Sequence, residues 1–350
     1  LLAGVGKATV SRVINGKGNV SEATLRKVQN IIREKKYSPS AAAQNLSKRS
    51  NNIVGVIIPE AHNSFFAEIL AGISNVADEN DMVIFFCNTD NKAKKDVRAL
   101  EMMFHQRVKG LIMTPAAEYS TADAGARIRR QLTGLAEMGA AIVLLDRVIP
   151  NFQCDGVYFN NLEGAYLATE ALIKAGHERI GILAGDMSMT HGKQRYAGFE
   201  KAMKEYGLPI DDRYVLHGEF KREMSYEQTK NMLLDGDIPT AVFCSNNMSG
   251  AGFLQAVYDF GMKVPADIAY ICFDKVEGVE IFGEKHSHIS RDVVGMGEAA
   301  ARLLIKRLRQ PEKPCEQQVL PPDLRLYGSE VYAGSRGSLC DDGNQHRGGS

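Results

Sequence analysis

Hydrophobic residues change their rhythm near residue 52. Before that point they recur at helical spacing. Val10, Val13 and Ile14 share one face over residues 8–15, with Ser11 and Arg12 on another. Asn15-Gly16 and Lys17-Gly18 stop this helix. Ser21 reads as the N-cap of a second helix, and Glu22 sits in its first turn, where the helix dipole favours negative charge. Leu25, Val28, Ile31 and Ile32 supply the apolar stripe, which ends near Lys36 before Tyr37-Ser38-Pro39. Residues 41–46 form a candidate short helix, too short to be stable alone.

From residue 52 the pattern becomes an alternation of strands and helices. Ile53–Ile58 is a continuous apolar run, as expected of a strand buried on both faces. An amphipathic helix follows over Phe65–Glu79, then a strand over Met82–Cys87 and a helix over Val97–Arg107. Further strands are expected at 110–114, 141–145, 180–184, 241–244 and 268–273. Such alternation predicts an α/β fold with parallel sheets and helices on both faces. IVGVIIPEAHNSFFAEILAGI (53–73) also aligns with RIGILAGDMSMTHGKQRYAGF (179–199), each a strand, a polar loop and a helix carrying a glycine. The repeat predicts two similar halves with a cleft between them. Ligands in open parallel sheets sit at the carboxyl ends of the strands, so these loops are where a site is expected.

Charge adds a second division. The net charge is zero, but the first fifty residues hold ten Lys and Arg against Glu22 and Glu34. A basic head of +8 on a body of −8 points to a polyanion partner for the head. Ala3-Gly4-Val5 ahead of a polar helix matches the turn of a helix-turn-helix, which makes residues 8–15 the recognition helix. Lys7 and Ala8 are then expected to face base edges. Thr9, Ser11 and Arg12 are expected to contact phosphates or bases, and Asn15 joins this set.

Catalytic signatures are missing. The segment GDMSMTHGKQ (185–194) resembles a phosphate loop, but it is too long and has Gln194 where the metal-binding hydroxyl belongs. Neither GxGxxG, GxSxG nor HExxH occurs. His286 and His288 lack a third ligand and read as surface loop residues. The six cysteines are scattered, without metal-ligand spacing, and are expected as free thiols in a reducing cytoplasm. No uninterrupted apolar window approaches a membrane span, and the start lacks the pattern of a signal peptide. No enzyme activity, no cofactor, no metal and no membrane association are expected.

AGVGKATVSRVINGKGNVSEATLRKVQNIIREKKYSPSAAAQNL resembles the DNA-binding region of the lactose-repressor (LacI/GalR) family of bacterial transcription regulators, and TVSRVING is specific to it. The resemblance implies a hinge helix in which Leu46 wedges into the minor groove of operator DNA. It also implies a leading helix of the type DVAxxAGV, of which Leu1-Leu2-Ala3 would be the tail. The head therefore reads as a partial helix-turn-helix, with weakened or lost operator binding expected for the chain as it stands. The body resembles the periplasmic-binding-protein-like core of the same family, which binds an effector between two subdomains.

Sugar hydroxyls call for Asp, Asn and Arg beside an aromatic face. Such residues fall at predicted strand ends and helix starts: Asp274, Asn246, Arg195, Phe65, Asp146 and Arg147. The resemblance implies that Arg195 in RYAGF, Asn246 in Asn246-Asn247 and Asp274 in Phe273-Asp274-Lys275 line the effector pocket. It implies likewise that Phe65 contacts the effector, that Phe220 is an aromatic lid and that Arg291 is a polar contact. Asn160 is taken with this set. Asn247 and Lys275 depart from the family's usual aspartates.

The expected organisation is a head at 1–37, a hinge at 38–51, a core at 52–330 and a disordered tail at 331–350. Within the core, 52–176 with 290–309 is expected as the first subdomain, and 177–289 with 310–330 as the second. The expected protein is a cytoplasmic, homodimeric repressor of carbohydrate genes that responds to a sugar or sugar derivative. The alternative is a truncated, DNA-incompetent sugar-binding protein.

Overall fold

A computed structural model of the chain describes residues 4–15, 20–35, 52–116, 119, 122–279 and 283–331. Leu46 and the rest of the expected hinge, the side chains of Lys7 and Asn15, and the tail from 332 lie outside the described residues. The chain divides into two units, 1–51 and 52–350.

In the first unit, α1 (Lys7–Asn15) begins one residue before its expected start, and α2 (Glu22–Glu34) follows. Val13 and Val28 are buried against each other's helix, with Val10, Leu25, Ile31 and Ile32 packed around them. Ser21 is the N-cap residue of α2, but its side chain caps no backbone N–H. Its hydroxyl pairs instead with that of Thr24 at 2.9 Å.

The second unit contains two six-stranded sheets. The first is built from β1 (Ile53–Ile58), β2 (Val83–Asn88), β3 (Gly110–Met113), β4 (Ala141–Leu145), β5 (Asp155–Phe159) and β11 (Gln317–Leu320), in the order β11-β5-β4-β3-β1-β2. The second is built from β6 (Ile180–Ala184), β7 (Val215–His217), β8 (Ala241–Cys244), β9 (Ala269–Phe273), β10 (His288–Ser290) and β12 (Asp323–Arg325), in the order β12-β10-β9-β8-β6-β7. All neighbouring strands run parallel except β10 and β12.

Helices cover both faces of each sheet, which is why the strands read as unbroken apolar runs. On the first sheet, α3 (Ser64–Glu79) and α10 (Val293–Arg309) pack Ile69, Ile73, Met296 and Ala300 over Val54, Val56 and Ile58. On its other face, α4 (Ala93–Gln106) and α5 (Ala122–Glu137) pack Leu100, Met103, Ile128 and Leu132 over Ile57 and Leu111. On the second sheet, α6 (Asn161–Lys174) and α7 (Thr190–Glu205) cover one face. The opposite face lies under α8 (Arg222–Asp235) and α9 (Asn247–Asp259).

The aligned repeats correspond to β1–α3 and β6–α7, and their glycines do the same work. A Cβ on Gly72 would lie 2.0 Å from the carbonyl oxygen of Val294, and one on Gly198 would lie 2.2 Å from that of Leu162. Each glycine lets its helix approach a neighbour closer than any side chain permits.

The subdomain boundaries differ from expectation at two of three crossings. The chain first crosses between the sheets at 159–161, not at 176, because α6 buries Ala165, Ala168 and Leu172 on the second sheet. It returns between β10 and α10. It crosses a third time between β11 and β12, not near 310, because β11 extends the first sheet beside β5 (Gln317 opposite Gly156). Asn160 N–H donates to Leu320 O at 3.0 Å, which ties the first crossing to the third.

Candidate functional site: a charged and aromatic cleft

A cavity of about 380 Å³ lies among the loops at the carboxyl ends of both sheets. Its lining draws on the strand-to-helix connections of each half, where the repeat placed it. Two aspartates at strand ends set the floor. Asp146 follows β4 with φ 61°, and Asp274 follows β9 with φ 73°. Left-handed backbone is uncommon for non-glycine residues and is often found at functional sites. Each residue's N–H still donates to the neighbouring strand, Asp146 to Val157 O and Asp274 to Ile289 O, both at 3.0 Å.

Arg291, on the second crossing, joins these aspartates. Its Nε and Nη2 donate to the two carboxylate oxygens of Asp274 at 2.6 and 2.5 Å. Nη1 stands 3.7 Å from Asp146 Oδ1, too far for a hydrogen bond, and both atoms are buried without a hydrogen-bond partner. The guanidinium lies over the rings of Phe65 and Phe159, at 4.2 and 4.8 Å from their centroids. Such cation–π contacts strengthen when water is excluded.

Arg195 comes from α7 and is 3% exposed. Its Nε donates to Asn161 Oδ1 at 2.9 Å and its Nη1 to Ser245 O at 2.6 Å. The guanidinium covers Phe273 at 3.6 Å from the ring centroid. Burial pulls its pKa down to about 9, with the charge of Arg291 acting in the same direction. Arg147 is held by Asn91 Oδ1 at 2.7 Å and Pro115 O at 3.0 Å. Burial lowers its pKa too.

Phe220 forms one wall. Its ring stacks on His191, with centroids 4.9 Å apart and planes 15° off parallel. Burial, reinforced by the nearby arginine charges, drives the pKa of His191 well below the ordinary range, so the ring is neutral at pH 7. Asn246 caps α9, accepting from Ser249 N–H at 2.7 Å, while also lining the cavity. Asn247 Nδ2 donates to Asn63 Oδ1 at 3.4 Å, a contact from the second half to the first.

Eight of the nine expected effector residues therefore line one cavity: Phe65, Asp146, Arg147, Arg195, Phe220, Asn246, Asp274 and Arg291. Asn160 does not. Its side chain caps α6, accepting from Glu163 N–H at 3.2 Å and donating to the Glu163 carboxylate. The neighbouring Asn161 is the one that reaches Arg195. Sequence reading missed Asn161, His191 and Phe66. His191 aligns with Phe65 in the internal repeat, so the repeat carried a signal for it. His286 is not a surface residue: its imidazole is largely buried and Nδ1 lies 2.7 Å from the Tyr270 hydroxyl, while His288 is part of β10. No group of metal-ligating side chains occurs among the described residues. In the head, Ala8, Ser11 and Arg12 are exposed on α1, and Thr9 is partly buried.

Residues 51–306 match the family model for periplasmic binding proteins and the sugar binding domain of the LacI family, and residues 1–40 match that for bacterial regulatory proteins of the lacI family. The HTH-type transcriptional repressor PurR of Pasteurella multocida (strain Pm70) is 35% identical over 320 residues, covering 91% of this chain and 92% of that protein. PurR of Actinobacillus pleuropneumoniae serotype 3 (strain JL03) is 32% identical over 327 residues, covering 93% and 95%. Among solved structures, the transcriptional regulator CelR in complex with cellobiose matches with TM-score 0.68 and 26% identity, covering 93% of this chain and 96% of that one. A LacI family regulator from Enterococcus faecium with bound ribose matches with TM-score 0.68 and 27% identity, covering 78% and 96%. The lac repressor dimer bound to operator and the anti-inducer ONPF shares the fold, with TM-score 0.76 and 24% identity over 94% and 97%. The chain thus belongs to the lacI family of bacterial regulatory proteins, transcription regulators rather than enzymes.

Proposed function

We propose that this chain is a sequence-specific transcriptional repressor whose operator affinity is set by a sugar or sugar derivative bound in the cleft. The observation that carries this reading is the cleft's make-up. Buried Asp, Asn and Arg side chains converge beside the faces of Phe65 and Phe220, the pairing that polyhydroxylated rings require. Two relatives at 26–27% identity hold cellobiose and ribose, which supports the same ligand class.

The proposed coupling uses the three crossings. Arg291 sits on one of them and meets an aspartate from each half. A ligand that rearranges these contacts biases the angle between the halves, and a two-state body then transmits that bias to DNA affinity. A homodimer fits this scheme, because two heads read two half-sites of a palindrome. The lac repressor relative is itself a dimer on its operator. No described helix is long and apolar enough to cross a membrane, and a repressor acts in the cytoplasm, where its DNA is.

The experiment is a thermal-shift screen of the full chain against a panel of sugars, sugar derivatives and nucleobases. Saturation at a hundred times the dissociation constant stabilises by about 2.7 kcal/mol. A shift with nucleobases and none with any sugar would overturn the ligand class.

A further inference from the structure

Two cysteines that stand far apart in the chain meet at the edge of the first sheet. In the ladder between β5 and β11, Gln317 lies opposite Gly156 and Leu320 opposite Phe159. Phe159 and Leu320 face the α3 and α10 side. Side chains alternate along a strand, so Gly156 and Gln317 belong to the other face, and so do Cys154 and Cys315 two residues before them. Both cysteines line one cavity of about 390 Å³, together with Ala140, Ile142 and Phe152. Neighbouring strands lie about 4.8 Å apart, within the roughly 4.4–6.8 Å between α-carbons that a disulfide spans.

Hydrogen bonds fix the approach to Cys315. The Arg307 guanidinium takes both carboxylate oxygens of Asp155, at 2.7 and 2.8 Å. It also donates to the carbonyls of Pro311 and Pro314, at 2.9 and 2.8 Å, and to that of Lys313. The turn that delivers Cys315 is thereby held to the start of β5. Beyond it, Glu316 N–H donates to Asp155 Oδ1 at 2.8 Å and Gln317 Nε2 to Cys154 O at 2.6 Å.

Exposure separates the two thiols. Cys154 is buried and Cys315 is exposed. Burial pushes the pKa of Cys154 up to about 12, and Cys315 beside it acts in the same direction. Thiolate character and access decide which sulfur an oxidant meets first, and here that is Cys315. A second pair has the register without the access: Cys244 on β8 lies opposite Cys272 on β9, and both are buried.

We propose that Cys154 and Cys315 are a peroxide-sensitive dithiol that closes to a disulfide. The Cys315 sulfur attacks one oxygen of hydrogen peroxide. The O–O bond breaks, the other oxygen leaves as water with the thiol proton, and Cys315 becomes a sulfenic acid. The Cys154 sulfur then attacks the Cys315 sulfur. The S–O bond breaks, and the Cys154 proton leaves with the hydroxide as water. The peroxide has taken two electrons, one from each sulfur. The new bond clips β11, an edge strand of four residues, to β5 ahead of the third crossing, and a thiol reductant reopens it.

Peptide mapping of the full chain by mass spectrometry tests this. The protein is exposed to hydrogen peroxide, free thiols are blocked, and the digest is compared with and without reduction. The expected result is a linked 154–315 peptide that dithiothreitol separates, with Cys244 and Cys272 still reduced. In Cys154→Ala, dimedone should trap a sulfenic acid at Cys315. In Cys315→Ala, Cys154 should remain a thiol at the same peroxide dose. Melting curves show whether the variants are folded, and the map of the unmutated chain stands without them. Overoxidation of Cys315 with Cys154 still a thiol overturns the proposal, as does a link from Cys315 to Cys340 or to a second copy of the chain. A Cys244–Cys272 link at the same dose overturns the claim that access selects the pair. A chain that keeps both Cys154 and Cys315 reduced overturns it as well.

Discussion

Replacing Asp274 with asparagine removes one charge from the Asp274–Arg291 pair and changes little else in shape. The two side chains are 15% and 2% exposed, so the guanidinium left behind has little access to water. Removing one partner of a buried pair costs about 3–5 kcal/mol, most of it the penalty for an uncompensated charge. Two features place Asp274→Asn near the lower end. Asp146 remains 3.7 Å from Arg291 Nη1, and the new amide oxygen still accepts one hydrogen bond. A loss of about 3 kcal/mol is expected, which in a body of this size lowers the melting temperature by roughly 6 °C. Replacing both partners, as Asp274→Leu with Arg291→Met, should destabilise by clearly less than the sum of the single changes. Equilibrium urea unfolding of the ligand-free protein measures Asp274→Asn and the four species of the Asp274→Leu and Arg291→Met cycle. A loss below about 0.5 kcal/mol for Asp274→Asn, or strict additivity in the double variant, would refute the claim that this pair is desolvated.

Three further outcomes are expected. Gly72→Ala forces a Cβ against a backbone carbonyl 2.0 Å away, so α3 and α10 must separate at a cost of about 1–3 kcal/mol; an unchanged urea midpoint would contradict the tight helix contact. His177, His191 and His286 all have pKa values lowered by burial, so the folded protein takes up protons at these rings less readily than the unfolded chain does below about pH 6.5. Their contribution to stability is present above that pH and is lost as pH falls below it; His191→Phe, which keeps an aromatic face on Phe220, should flatten the fall in melting temperature between pH 7 and 5, and an equally steep fall would exclude His191 as a source. Arg12→Ala, on the exposed face of α1, should weaken operator binding and reduce the slope of log affinity against log salt by about one; an unchanged slope would mean that Arg12 meets no phosphate.

Strands were legible because helices cover both faces of each sheet. Ile53–Ile58, Ala141–Leu145, Ile180–Ala184 and Ala241–Cys244 match their sequence bounds for this reason. Helices without contrast were not. The buried face of α6 is mostly small or polar residues, and that of α8 includes Ser225 and Thr229, so neither shows an apolar stripe. Periodicity also tells that a helix is buried but not on which sheet, and chain order alone puts α6 with the first sheet although it packs on the second. In the cleft, strand-end Asp and Asn were legible as a class, but capping and lining look alike in sequence. Asn160 caps, Asn246 does both, and Asn161 was visible only once α6 and α7 were packed together. Nothing in the order of residues shows that Arg195 receives neutral acceptors while Arg291 takes both oxygens of Asp274.

The central claim is that the cleft and the basic head are coupled. Its direct measurement is fluorescence anisotropy of the full chain on a palindromic operator selected by the chain from a random DNA library, with and without saturating effector from the thermal-shift screen. The account predicts that the effector changes operator affinity at least fivefold, and that operator changes effector affinity by the same factor. Operator affinity that does not respond to a saturating cleft ligand, measured at low salt where phosphate contacts are strongest, would contradict it.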